Sequence, residues 1–336
     1  MKIPERIDLA HLPTPIEKIT FRTRLHSVST RQASRNDSRG KEFVIKRDDY
    51  TGSDFLGNKI RKLEYLLFEA KKLKSDIIFT CGGDQSNHAR ATASAAAKLG
   101  IKTRLYLWGK DNKVSDGNLF LDKMFGAEII YLNEREYSNV DEIMTSERQK
   151  LVKKGKRVYV IPAGGSSTLG IWGYINFINE LKQQISLKSV DGIFSACGSG
   201  GTVAGILVGA ALNKIKLKVF AVNVLEQTEV IRKRIFQLAE GCILDFNLNC
   251  KVDENNLEII EGYSKEDYKN ISKDKLKLIT NFSKSTGILL DPYYTGKAFC
   301  AYNDLILNKG RGKKVIFIHT GGIFGVTPPH LLKWKF

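Results

Sequence analysis

The chain has 336 residues and a formal net charge of +17, with 42% hydrophobic and 26% charged residues. This length allows two lobes that share one cleft, and the composition is that of an ordinary globular protein. The longest apolar run, residues 203–212, is too short for a membrane span. The charge invites a nucleic-acid interpretation, but the lysines are spread along the chain and accompany no nucleic-acid-binding motif. We therefore expect neither a nucleic acid nor a membrane as a partner.

The cysteines indicate a reducing compartment. There are five of them, at positions 81, 197, 242, 250 and 300, and no two form a Cys-x-x-Cys pair. An odd, scattered set predicts neither a disulfide framework nor a zinc site, so we expect no metal. The first residues also lack the apolar core of a secretion signal. These features predict a cytoplasmic protein.

Apolar runs of strand length alternate with helical patterns along the chain. The predicted strands are residues 43–46, 77–80, 104–107, 128–132, 158–161, 192–196, 219–224 and 315–319. The predicted helices are residues 60–73, 87–99, 118–125, 203–212 and 274–284. This alternation predicts an α/β fold of mostly parallel sheets flanked by helices. Because no linker is obvious, we expect two interleaved lobes.

Two segments interrupt this alternation. Residues 22–41 are basic, rich in Ser and Arg and poor in apolar residues, which predicts a mobile loop. Residues 245–267 are polar and lack a clear period, so we expect irregular structure there.

The first chemical motif is the run at residues 57–62. Helical periodicity begins near Asn58, so Lys59, Arg61 and Lys62 crowd a helix N-terminus, where the macrodipole disfavours cations. An anionic ligand at that end would account for them, as would a Lys59 that is uncharged because it forms a Schiff base. A solvated basic cluster is the alternative.

The second motif is a glycine-rich loop formed by Gly198, Ser199, Gly200, Gly201 and Thr202. It follows an apolar strand and opens a helix, so its backbone N–H groups can hold a phosphate. A dinucleotide fingerprint would need glycine at position 203, and no Gly-Lys-Ser/Thr of a Walker loop follows. A purely structural glycine turn is the alternative, but the two hydroxyls favour phosphate.

The third motif, Ser86, Asn87 and His88, stands between an apolar strand and an alanine-rich helix. Asp84 or Ser86 could simply be an N-cap of that helix. In the functional interpretation, the free N–H groups and the Ser86 hydroxyl bind a substrate carboxylate. Taken alone, His88 is weak support for a site.

A fourth motif begins at Asp291 and includes Tyr294 and Thr295. It follows the apolar run 288–290 and places a tyrosine at the carboxyl end of a strand, where ligands of open α/β sheets bind. Residues 319–322 end another strand in the same way. The alternative is that the tyrosine belongs to the core.

Taken together, these motifs look like a pyridoxal phosphate (PLP) site, and residues 44–325 resemble a known family. This is the PLP-dependent family containing D-cysteine desulfhydrase and 1-aminocyclopropane-1-carboxylate (ACC) deaminase, of the tryptophan-synthase-β-like fold (fold type II). The resemblance rests on residues 46–49, 57–64, 85–88, 200–202, 291–297 and 319–322. It implies two interleaved, open, twisted sheets, with a large lobe of residues 1–64 and 166–336 and a small lobe of residues 65–165. It also implies a homodimer.

The resemblance implies a role for each motif toward the cofactor. Lys59 is expected to carry PLP as a Schiff base, with Lys62 and the loop at residues 198–202 holding the phosphate. Asn87 is expected to bind the ring hydroxyl, and Thr295 the pyridine nitrogen.

The resemblance also implies the residues that act on the substrate, a small amino acid. Ser86 would sit at the reacting centre, beside Asn87 and His88, and Tyr294 would face the substrate from the far side. A second active-site tyrosine of the family aligns with Tyr268 when no gap is introduced from Asp291, with Tyr263 as the competing position.

Two positions favour one subgroup of the family. In the resemblance, ACC deaminases carry the motifs Gln-Ser-Asn-Gln and Tyr-Glu-Gly-Lys at residues 85–88 and 294–297. This chain has His88 in place of the second glutamine and Thr295 in place of the glutamate. A carboxylate at position 295 would keep the pyridine nitrogen protonated and make the ring a stronger electron sink, which opening a cyclopropane requires. A neutral threonine suits the expulsion of a good leaving group such as a thiolate.

The resulting prediction is a PLP-dependent lyase that performs β-elimination on a small D-amino acid. D-Cysteine, converted to pyruvate, hydrogen sulfide and ammonia, is the leading substrate. ACC deaminase and L-cysteate sulfo-lyase are alternatives with the same site. A non-catalytic ligand-binding relative on the same fold is the alternative from another class.

Overall fold

The computed structural model describes residues 3–21, 41–54, 56–111, 115–225, 227–263, 271–312 and 314–326. The strands found there are β1 (Ile16–Phe21), β2 (Lys41–Lys46), β3 (Ile77–Gly83), β4 (Lys102–Trp108), β5 (Glu128–Leu132), β6 (Val158–Val160), β7 (Gly192–Cys197), β8 (Lys218–Asn223), β9 (Leu257–Ile260) and β10 (Val315–Ile318). The helices are α1 (Lys59–Lys72), α2 (Asn87–Lys98), α3 (Gly117–Met124), α4 (Glu134–Tyr137), α5 (Val140–Lys153), α6 (Trp172–Gln184), α7 (Gly201–Leu212), α8 (Thr228–Asp245), α9 (Lys273–Thr286) and α10 (Thr295–Tyr302), which continues as a π-helical segment over Asn303–Asn308.

The strands form two sheets. Within the described ranges, one sheet has six strands in the order β1-β2-β10-β7-β8-β9 and the other has four in the order β5-β4-β3-β6. Strand β1 runs antiparallel to β2, and the other paired strands are parallel. The predicted α/β class, with two mostly parallel sheets flanked by helices, is confirmed.

Helices cover both faces of the larger sheet. Residues of α6, α7 and α8 share one apolar cluster with β7 and β8, and residues of α9 and α10 share another with the opposite face. All six residues of β7 are buried, which explains its continuous apolar sequence.

The predicted elements overlap observed ones except at residues 288–290, where the strand expected before Asp291 is wrong because these residues form no strand. Several observed elements were not predicted. Strand β9 lies inside residues 245–267, so the prediction of irregular structure is wrong there. Strand β1 and helices α4, α5, α6 and α8 were also missed. Of the predicted loop at residues 22–41, residues 22–40 lie outside the described residues, and Lys41 begins β2.

The lobe boundaries stay a prediction. All strands of the four-stranded sheet lie between residues 77 and 160, and those of the six-stranded sheet lie outside that span. The proposed boundary between residues 64 and 65 falls within α1. No helix in the described part of the chain is both long and apolar enough to cross a membrane.

Candidate active site

The carboxyl ends of β3 and β7 open into a cavity of about 660 Å³. The N-terminal ends of α1, α2 and α7 face the same space, so their unpaired backbone N–H groups favour an anionic ligand. The cavity brings together most of the sequence-predicted site residues: Lys59, Lys62, Ser86, Asn87, His88, Gly198, Ser199, Gly200, Thr202 and Tyr294.

Lys59 is held at the base of this cavity. Its Nζ donates to Asn58 Oδ1 at 2.7 Å, and Asn58 Nδ2 donates to the Thr202 hydroxyl at 3.0 Å. Burial lowers the pKa of Lys59 to about 8, although the charge of Asp291 opposes this shift. A substantial fraction of the amine is therefore neutral near pH 8, as attack on an aldehyde requires.

The other cations at the start of α1 have separate roles. The Arg61 guanidinium donates to both Asp48 carboxylate oxygens, at 2.8 and 2.9 Å, and to Glu180 Oε2 at 2.8 Å. These two carboxylates neutralise the charge of Arg61, which does not line the cavity. Lys62, in contrast, lines the cavity. Only part of the predicted cationic cluster is therefore available to a ligand.

Lys62 lies beside the glycine-rich loop. Its Nζ donates to the Gly164 carbonyl and to Ser166 Oγ, both at 3.1 Å, and Ser166 Oγ lies 2.8 Å from Ser199 Oγ. Burial lowers the pKa of Lys62 well below its usual value, and the charge of Lys59 acts in the same direction. A bound dianion would relieve both effects.

The loop leaves no room for side chains where the ligand would approach. A Cβ on Gly201 would lie 2.8 Å from Lys62 Nζ and 2.4 Å from Ser166 Oγ. Gly200 has φ +83° at the N-cap of α7, a conformation that costs an L-residue strain. The bare backbone at the start of α7 is therefore open to a ligand, and its role as the predicted phosphate cradle stays a prediction.

Ser86 caps a helix and also lies on the cavity wall. Its Oγ accepts from the Ala89 backbone N–H at 3.2 Å and so caps α2, while the residue lines the cavity. The capping interpretation and the functional one are therefore compatible, because the cap holds the hydroxyl at the cavity wall.

His88 is a neutral group in this site. Its Nε2 lies 2.8 Å from the Thr80 hydroxyl, which itself donates to the Ile161 carbonyl, so Nε2 is the protonated nitrogen. Burial lowers the pKa of His88 well below its usual value, as do the charges of Lys59 and Lys62. The predicted contact of His88 with the substrate stays a prediction.

Tyr294 and Thr295 differ in their placement. The ring centroid of Tyr294 lies 5.9 Å from Lys59 Nζ, on the cavity wall. Thr295 is fully buried outside that wall, and its hydroxyl donates to Asp291 Oδ1 at 2.6 Å. Its predicted contact with the pyridine nitrogen stays a prediction.

The two tyrosines considered as a second active-site phenol are not brought into the cavity by the described structure. Tyr268 lies outside the described residues. The Tyr263 hydroxyl donates to Asp304 Oδ2 at 2.9 Å, and the residue does not line the cavity. Tyr137, at the end of α4, does line it and was not predicted.

With this geometry established, the chain can be compared with known proteins. A family model described as pyridoxal-phosphate dependent enzyme matches residues 9–321. The chain belongs to this family. The resemblance found in the sequence and its PLP cofactor are thereby confirmed.

Individual members of this PLP-dependent family are similar over nearly the whole chain. A putative ACC deaminase of Thermotoga maritima is 41% identical over 322 residues, which cover 96% of this chain and 97% of the relative. A bifunctional, mitochondrial D-cysteine desulfhydrase/ACC deaminase of Arabidopsis thaliana is 36% identical over 332 residues, which cover 95% of this chain and 78% of that relative. The crystal structure of an ACC deaminase homologue matches with a TM-score of 0.83 and 33% identity, covering 96% of this chain and 93% of that one.

The residues of this PLP-dependent enzyme fit its cofactor. The Lys59 amine of lowered pKa is available for the aldehyde, and the buried Lys62 amine lies beside a glycine-lined helix N-terminus that suits the phosphate. The particular roles of the individual residues remain proposals.

Several residues of the site were missed in the sequence. Ser166 and Gly164 belong to a glycine-serine turn after β6, the same pattern that identified the loop at residues 198–202, so a signal was present. Thr320 lies in the segment 319–322 that the sequence analysis singled out, but its contact was not foreseen: its carbonyl accepts from the Asn58 backbone N–H at 3.0 Å and would lie 2.5 Å from a Cβ on Gly57. This close approach fixes the start of α1, and only the fold reveals it.

Proposed function

We propose that this enzyme is a lyase that eliminates the β-substituent of a small D-amino acid, with D-cysteine as the leading substrate and pyruvate, hydrogen sulfide and ammonia as products. The observation that carries the proposal is the buried Lys59 amine, with a pKa of about 8, in one cavity with Ser86 and Tyr294. Relatives named for D-cysteine desulfhydrase and ACC deaminase support the substrate class.

When bound, PLP supplies an electron sink for carbanion chemistry at the substrate Cα. Lys59 would hold the cofactor through its Nζ, and the same Nζ, when free and neutral, would take the Cα proton of the substrate. The N-terminal N–H groups of α2 and the Ser86 hydroxyl bind the substrate carboxylate. Tyr294 lies on the opposite wall of the cavity, and its hydroxyl acts on the leaving group.

The neutral residue at position 295 favours β-elimination over cyclopropane opening. Thr295 itself carries no carboxylate, and its hydroxyl donates to Asp291 Oδ1. The ring of the cofactor would then be a moderate electron sink, which is sufficient to expel a thiolate. ACC deamination is the second candidate, supported by the name of the Thermotoga relative.

A substrate panel tests the proposal. Purified enzyme, loaded with PLP, is incubated with D-cysteine, L-cysteine, L-cysteate and ACC, and the products sulfide, sulfite, pyruvate and α-ketobutyrate are measured. We expect sulfide and pyruvate in equal amounts from D-cysteine, and loss of both in Lys59→Ala.

Each other outcome identifies an alternative. Production of α-ketobutyrate from ACC alone would establish the deaminase, and production of sulfite from L-cysteate alone would establish the sulfo-lyase. Tight binding of PLP with no turnover of any compound would identify a non-catalytic relative. We further propose a cytoplasmic homodimer, which fractionation and light scattering would test.

A further inference from the structure

The side chain of Asn87 is oriented by two buried residues behind the cavity wall. Arg90 Nε donates to Asn118 Oδ1 at 3.0 Å, and Asn118 Nδ2 donates to Asn87 Oδ1 at 3.0 Å. Asn118 Nδ2 also donates to the backbone carbonyl of Gln85 at 2.9 Å. Arg90 and Asn118 are both fully buried, so water does not compete for these contacts.

The chemistry of Arg90 determines the direction of both amides. A guanidinium has donors and no acceptor, so the Asn118 atom that faces it must be the oxygen. The other end of Asn118 is then an NH₂ group, and the Asn87 atom that faces it must also be an oxygen. The NH₂ group of Asn87 is thereby left for the cavity, which Asn87 lines.

We propose that Asn118 is a positioning residue that directs the amide donors of Asn87 toward the ring oxygen of PLP. This inference rests on the proposed role of Asn87 toward the cofactor. Arg90 sets the orientation of the two amides because it is a cation that only donates hydrogen bonds. Burial lowers its pKa to about 10, so it stays charged at neutral pH.

The same guanidinium connects this relay to the helix that carries Lys59. Arg90 Nη1 donates to the Asp54 carbonyl at 2.7 Å and Nη2 to the Leu56 carbonyl at 3.1 Å, just before α1 begins. Leu56 has a positive φ of 27°, a strained conformation for leucine that these contacts help to hold. Arg90 therefore couples the position of Lys59 to the orientation of Asn87.

The sharpest test is Asn118→Asp. An aspartate still accepts from Arg90 but cannot donate to Asn87, so the Asn87 amide is expected to reverse and turn its oxygen to the cavity. Two ligands report this change: pyridoxine 5′-phosphate, which lacks the aldehyde and cannot form a Schiff base, and its 3-deoxy analogue, which also lacks the ring oxygen. Their dissociation constants are measured by titration calorimetry on cofactor-free enzyme.

We expect the wild-type enzyme to bind pyridoxine 5′-phosphate about tenfold or more tightly than the 3-deoxy analogue, as a charge-assisted hydrogen bond requires. In Asn118→Asp this ratio should fall to about one or reverse. Asn213→Asp, the same chemical change at the end of α7, is the control for added negative charge and should keep the wild-type ratio. A general loss of stability would weaken both ligands equally and leave the ratio unchanged.

An unchanged ratio in Asn118→Asp overturns the inference. If that variant does not fold, Asn118→Ala decides, because alanine also releases the Asn87 amide and should lower the ratio. A full wild-type ratio in Asn118→Ala then overturns the inference. Failure of the proposed function is distinguishable, since D-cysteine would then give no sulfide in the substrate panel while the wild-type enzyme still binds the two ligands with the expected ratio.

Discussion

Lys59 Nζ donates to the side-chain oxygen of the preceding residue, Asn58, at 2.7 Å, and the amide of Asn58 donates to the Thr202 hydroxyl at 3.0 Å. The amine is thus connected to the first turn of α7, which we propose holds the phosphate. A neutral amide holds Lys59 without adding a negative charge that would raise its pKa.

The rate at which cofactor-free enzyme combines with PLP should rise with pH, with a midpoint near pH 8, and then level off. The reason is that burial lowers the pKa of Lys59 to about 8, and only the neutral amine attacks the aldehyde. Stopped-flow absorbance across pH 6 to 10 measures this profile. A rate that still climbs steeply at pH 10 would contradict the assigned pKa.

Asn58→Asp should shift that profile to higher pH by about one unit or more. The carboxylate keeps an acceptor for Lys59 and adds a negative charge in direct contact with it, which favours the ammonium form. The same stopped-flow measurement applies. Asn58→Ser, which adds no charge, is the matched control and should keep the midpoint close to that of the wild type.

Gly201→Ala should weaken PLP binding roughly tenfold or more. The added methyl group would lie 2.4 Å from Ser166 Oγ and 2.8 Å from Lys62 Nζ, so both partners must move away from the phosphate cradle. Equilibrium dialysis measures the dissociation constant. Gly325→Ala is the control, because a methyl group there meets only ordinary contacts, at 3.7 Å or more from Tyr293. Equal affinities of Gly201→Ala and Gly325→Ala for PLP would contradict the proposal that the phosphate binds beside Gly201.

Glu180→Gln should destabilise the enzyme by about 3 kcal/mol at pH 7. Burial alone would raise the pKa of Glu180, but the hydrogen bonds and charge of Arg61, together with the charge of Lys46, lower it to about 2. Because this folded-state pKa is below the ordinary value of 4.5, the stabilisation is present above pH 4.5 and is lost as the pH falls toward 2.

Urea unfolding at several pH values from 7 to 3 measures this effect. The difference between wild type and Glu180→Gln should shrink as the medium becomes acidic. Glu258→Gln is the control, since its partner Arg311 is half exposed and such a pair contributes at most about 1 kcal/mol. A constant difference across the whole pH range would argue that Glu180 is not ionised in the folded enzyme.

The fold was largely predictable where strands are buried on both faces. Strand β7 has six buried residues in succession, a pattern that the sequence shows directly. Strand β1 instead mixes exposed and half-buried positions at the sheet edge, and the four residues of β9 are buried only at their ends. Strands this short or this exposed leave too little apolar periodicity to identify.

The site was predictable where a glycine or hydroxyl motif directly follows a strand, as at Ser86 and residues 198–202. Contacts between distant segments were not. Asn118 lies 31 residues from Asn87, and nothing in its own sequence neighbourhood indicates their contact. Thr295 was identified in its motif, but its hydrogen-bond partner was not. Its hydroxyl donates to Asp291, four residues earlier, and the sequence does not determine which nearby acceptor a hydroxyl binds.

Tyr294→Phe should lower kcat by roughly a hundredfold while the affinity for PLP stays close to that of the wild type. The ring packs near Lys59 Nζ, with a centroid distance of 5.9 Å, and this packing survives in phenylalanine. Only the hydroxyl, which we propose acts on the leaving group, is lost. Steady-state kinetics with D-cysteine, combined with the visible absorbance of the bound cofactor, separates the two effects.

Tyr263→Phe should keep kcat within about twofold, because its hydroxyl donates to Asp304 away from the cavity. A loss of activity in Tyr263→Phe together with a fully active Tyr294→Phe would exchange the two assignments.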